Sequence, residues 1–78
     1  MSEADSTTLA LRAAELERDE AKEDFDDDAR ATIRAVGLPI ERYDPEAVGI
    51  AIAGLNAAHK RWAAKEDRIK QLRRLMGI

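Results

Sequence analysis

The sequence predicts an all-α protein, an antiparallel hairpin of two long helices that completes a four-helix bundle by dimerisation. Three observations carry this. From Leu9 to Val36 there is neither Gly nor Pro, and Ala, Leu, Arg, Glu and Lys abound, residues that lose little rotamer freedom in a helix. From Asp44 to Met76 the apolar residues Val48, Leu55, Trp62, Ile69 and Met76 recur every seven positions, which aligns them along one side of a helix. Between the two segments stands Val36-Gly37-Leu38-Pro39, a stop followed by a residue that cannot continue a helix.

Taken in order, residues 1–6 read as a flexible leader and 7–78 as a single domain. Ser6 or Thr7 suits the cap of a first helix spanning about 8–36. Gly37 is expected to close it in a left-handed conformation, with Arg30 and Arg34 placed to favour the negative end of the helix dipole. Two apolar stripes are legible on this helix, Leu9-Ala13-Leu16 and Ala21-Phe25-Ala29-Ile33-Val36. Residues 37–44 form the connector. Asp44-Pro45-Glu46 then opens a second helix over about 45–76, with Asp as N-cap, Pro at the first helical position and an acid in the first turn. Gly77 ends it.

Helices of about thirty residues are roughly 45 Å long, and a short connector makes them antiparallel neighbours. Folding at residues 38–43 sets position i beside 81 − i. That register puts Phe25 by Leu55 and Asn56, Ile33 by Val48, Ala13 by Ile69 and Leu9 by Leu72, with Ala14 and Ala21 leaving room for Trp62. It also lays Glu15, Glu17 and Glu20 along Arg61, Lys65 and Arg68. The net charge of −3 conceals this polarity: residues 1–28 hold eleven acids against three bases, and residues 59–78 hold seven bases against two acids.

Residues 47–58 are apolar nearly all round, more than one neighbouring helix can cover. Gly49, Ala53 and Ala57 recur on a second face, and Gly inside a helix costs about 1 kcal/mol relative to Ala. Val48, Gly49, Ile50, Ile52, Ala53, Leu55 and Ala57 are therefore the expected oligomer interface, with a dimer favoured. Two charged segments remain as candidate partner surfaces: acidic Glu23, Asp24, Asp26, Asp27 and Asp28, and basic Arg68, Lys70, Arg73 and Arg74.

Several chemistries find no support. Asp24-x-Asp26-x-Asp28 resembles the start of a calcium loop, but Ala29 and Ala35 stand where that loop needs Gly and Glu. His59, the only His, sits in Asn56-x-x-His59 without the Glu of a di-metal bundle, and is expected to be satisfied by Glu20. The hydroxyls of Ser2, Ser6, Thr7, Thr8 and Thr32 have no base placed with them in the sequence. There is no Cys, no Gly-rich phosphate loop and no apolar run long enough for a membrane span. The expectation is a cytoplasmic, non-enzymatic interaction or assembly module with no cofactor. It self-associates through its second helix and meets an unidentified protein partner. Two alternatives are a nucleic-acid-associated oligomer, such as a packaging accessory, and a small acidic inhibitor that mimics nucleic acid.

Overall fold

A computed structural model describes residues 3–77, with side chains from residue 6 onward. Helix α1 spans Glu3–Val36, a three-residue 3₁₀ turn covers Ile40–Arg42, and helix α2 spans Pro45–Met76. The two helices pack against each other as an antiparallel hairpin, a rod of 62 × 16 × 14 Å. Its radius of gyration is 17.7 Å, against about 11.5 Å for a globule of this length.

Helix α1 begins five residues before the expected start at Thr8. Ser and Thr are only a few tenths of a kcal/mol poorer than Ala in a helix, so Ser6, Thr7 and Thr8 continue the helix instead of capping it. Of the leader expected over residues 1–6, residues 1 and 2 lie outside the described residues, and the rest is helical.

The other end of α1 also differs from expectation. Gly37 donates its N–H to the Ile33 carbonyl at 2.9 Å, and its φ is not positive. The helix therefore ends through Leu38 and Pro39 without a left-handed residue. The connector tightens into the 3₁₀ turn, where Arg42 N–H donates to the Pro39 carbonyl at 2.8 Å.

The start and end of α2 match expectation. The Asp44 carboxylate accepts from the backbone N–H of Glu46 at 3.0 Å and of Ala47 at 3.3 Å, with Pro45 next in the chain. Gly77 adopts the left-handed conformation (φ 77°, ψ 23°) and donates to the Arg73 and Arg74 carbonyls. Only a residue without Cβ adopts that conformation at no steric cost.

The interhelical register is i beside 83 − i, two residues from the expected one. Thr32 meets Ala51, Glu17 meets Lys65, Arg18 meets Glu66 and Phe25 meets His59. The core agrees with it: Leu11 and Ala14 bury against Ile69 and Leu72. Ala21 and Phe25 of the expected α1 stripes are in the seam and Ala29 is half-buried, but the large aliphatic residues expected inside are outside. Leu9 is 51% and Ile33 71% exposed, and Leu16 and Val36 are exposed as well.

The observed row on α1 runs Leu11, Ala14, Arg18, Ala21, Phe25, Asp28, Thr32 and Ala35, all buried or half-buried and alternately three and four apart. It fits the α2 row Val48, Ala51, Leu55, Ala58, Trp62, Lys65, Ile69, Leu72 and Met76 along its length. Small residues meet large ones: the register sets Ala14 against Ile69, Ala21 against Trp62 and Phe25 against Ala58. Arg18 and Lys65 lie in these rows because their aliphatic stems cover apolar surface while the charged heads reach out.

Candidate interaction surfaces

Along the middle of the rod, charge and aromatic contacts hold the two helices in register. Lys65 Nζ bonds Glu17 Oε2 at 3.1 Å, as the acidic-against-basic layout anticipates. A second interhelical pair has the opposite sense: Arg18 Nε lies 3.5 Å from Glu66 Oε1 and 3.1 Å from Asp19 Oδ1. The bond to Asp19 pushes the Arg18 guanidinium above its ordinary pKa, so this group stays charged. Exposed pairs such as Lys65–Glu17 contribute about 0.2–1 kcal/mol each; their effect is to fix direction.

His59 does not turn to Glu20. Its ring lies 5.8 Å from Phe25 and 5.8 Å from Trp62, tilted by 59° and 46°, in the range of favourable aromatic pairs. Trp62 Nε1 is buried without a hydrogen-bond partner. The ring packing holds Trp62 there despite the penalty for an unpaired donor, about 1–3 kcal/mol. Beside it, Glu17, Glu20, Ala21, Asp24, Arg61 and Lys65 line an open groove of about 240 Å³. This is smaller than an ordinary small-molecule site. Among the described residues there is no group of three or more His, Cys, Asp or Glu that could hold a metal. No described helix is long and apolar enough to cross a membrane.

The seven residues expected at an oligomer interface divide. Val48 is buried and Leu55 half-buried in the chain's own seam, so α1 already covers them. Gly49, Ile50, Ile52, Ala53 and Ala57 are exposed. A Cβ added at Gly49 or Gly54 would meet nothing within 4 Å, so neither glycine is required by packing inside the hairpin.

The acidic segment is less open than the sequence suggests. Glu23 and Asp24 are exposed, Asp26 and Asp28 are half-buried, and Asp27 pairs with Arg30 at 3.1 Å. The Asp28 carbonyl accepts from the Thr32 hydroxyl at 2.8 Å, and that hydroxyl lies 3.3 Å from the Ala51 carbonyl across the hairpin. Arg68, Lys70, Arg73 and Arg74 are all exposed.

No protein-family model, curated protein or solved structure matches the chain.

One feature of the surface was missed by sequence reasoning. Seven large hydrophobic residues are exposed at the loop end: Ile33, Val36, Leu38, Ile40, Tyr43, Ile50 and Ile52. Ile40 is 86% and Ile50 68% exposed. The signal was present in Val36-Gly-Leu-Pro-Ile-x-x-Tyr43, because a connector is ordinarily polar. The total accessible surface is 5936 Å², whereas a compact monomer of 8.7 kDa exposes about 4,700 Å². The excess of about 1,200 Å² follows from the elongated shape and is spread along the whole rod.

Proposed function

We propose that this protein is a small, non-enzymatic, cytoplasmic interaction or assembly module. It self-associates through the loop end of the hairpin, with a dimer forming a four-helix bundle there, and offers its charged shaft to a protein partner. The observation that carries this reading is the exposure of seven large hydrophobic residues between Ile33 and Ile52. A concentration of exposed apolar residues in one part of a surface marks interaction sites. The interface is centred on the outer part of the expected set within the loop end, Gly49, Ile50, Ile52 and Ala53, extended by the connector residues, with Ala57 at its edge. Sedimentation equilibrium over a concentration series tests it. The wild-type chain is expected to reach twice its monomer mass, and Ile50→Glu to remain at monomer mass with unchanged helicity. A wild-type chain that stays monomeric at high micromolar concentration rejects the reading.

A second reading rests on the open end of the rod. Residues 3–14 and 69–77 carry Arg12, Lys70, Arg73 and Arg74 against Glu3 and Asp5, a balance of +2. Such a basic end suits nucleic acid. It predicts binding that weakens steeply as salt rises, because phosphate contacts release counterions. A duplex that shows no mobility shift even at low salt removes it.

A further inference from the structure

The hairpin register sorts charge into three zones along the rod. At the open end, residues 3–14 and 69–77 hold Arg12, Lys70, Arg73 and Arg74 against Glu3 and Asp5, so this zone carries +2. In the middle, residues 15–28 of α1 hold nine acids against Arg18 and Lys22. Residues 55–68, opposite them in α2, hold four bases against Glu66 and Asp67, so the zone carries −5. At the loop end, residues 29–54 hold Arg30, Arg34 and Arg42 against Glu41, Asp44 and Glu46, so this zone is neutral. The exposed hydrophobic cluster coincides with the only neutral zone among the described residues.

Resting on self-association as proposed above, we infer how the second copy lies: antiparallel to the first, overlapping it only over the loop-end zone, with the two open ends pointing away from each other. The neutral zone is the one part of this surface that meets a copy of itself without a like-charge penalty. Side-by-side parallel packing would set −5 against −5 and +2 against +2 at a spacing near the 14–16 Å width of the rod. That spacing lies inside the ~30 Å Debye length at 0.01 M salt and outside the ~8 Å length at 0.15 M. Full antiparallel overlap again stacks the two acidic middles and sets each loop end beside the partner's charged open end instead of its neutral counterpart. The staggered pair buries the apolar residues and keeps the charged zones apart.

The chain has no Cys, so a single nitroxide label can be placed at Gln71→Cys near the open end or at Glu41→Cys at the loop end, both exposed positions. Pulsed dipolar spectroscopy is run at low salt on each labelled chain, with its mass checked by sedimentation equilibrium. The staggered arrangement predicts dimer mass, a Gln71 separation of about 60 Å and a Glu41 separation of about 30 Å, from the rise of 1.5 Å per residue. Short separations at both positions mean parallel packing and overturn the inference. A short separation at Gln71 with a long one at Glu41 means full overlap or pairing of the open ends, and overturns it as well. Gln71 labels beyond about 80 Å mean an end-on contact, which is equally incompatible with the staggered pair. Monomer mass throughout rejects self-association itself, a failure distinct from the other three.

Discussion

The two halves of the hairpin use their large hydrophobic residues in opposite ways. Toward the open end, Leu11, Ile69 and Leu72 are buried together with Ala14, and Ala10 and Met76 pack against them. Toward the loop end only Val48 is buried, while seven residues of comparable size stand in solvent. Hydrophobic content does not separate the halves; the angular position of each residue around its helix does. The open-end half holds the monomer together, and the loop-end half leaves much of its apolar area in solvent.

The largest expected effect tests that division directly. Ile69→Ala removes the most buried large side chain, 1% exposed, and is expected to cost about 2–5 kcal/mol. A domain of this size has about 4–12 kcal/mol in total, so this change takes a large share. Ile50→Ala removes a side chain of the same size from the surface and is expected to cost under about 0.5 kcal/mol in the monomer. Denaturant melts at a concentration where the chain is monomeric compare the two. Equal losses would break the contrast.

Next in size, Asp44→Ala removes the carboxylate that holds the first two free N–H groups of α2 and is expected to cost about 1 kcal/mol. The loss appears as a lower urea midpoint with unchanged slope. Gly49→Ala acts in the opposite direction. With open space around its Cβ position, the monomer is expected to gain about 0.5–1 kcal/mol. If a second chain packs closely at Gly49, the same change weakens association, so mass and melting temperature move apart. The smallest effect belongs to Lys65→Gln, a few tenths of a kcal/mol, abolished at high salt.

These same residues show what was legible in the sequence. Asp44-Pro45-Glu46 and Gly77 announce the ends of α2 by local chemistry, and both boundaries agree with the structure. The seam on α2 was legible because one heptad position is filled by Val48, Leu55, Trp62, Ile69 and Met76. The seam on α1 was not, because it passes through Arg18, Asp28 and Thr32, and a search for apolar side chains follows Leu9 and Leu16 onto the outer face. Charge left the same ambiguity: Lys65 finds Glu17 under either register, but Arg18–Glu66 runs against the overall polarity and appears only once the helices are placed. The expected closure at Gly37 failed for a related reason. A Gly-Leu-Pro sequence permits a left-handed stop, but Pro39 alone suffices to end the helix.

The shape of the rod bears on how its mass is measured. By the scaling that relates chain length to size in globular proteins, a radius of gyration of 17.7 Å belongs to a compact chain of roughly 240 residues. On a size-exclusion column calibrated with globular standards, a single copy therefore elutes earlier than a compact monomer of its mass, toward the position of a larger species. The hydrodynamic profile of the lone hairpin imitates the very assembly in question, and only a method that reads mass independently of friction, such as sedimentation equilibrium or light scattering, separates length from number.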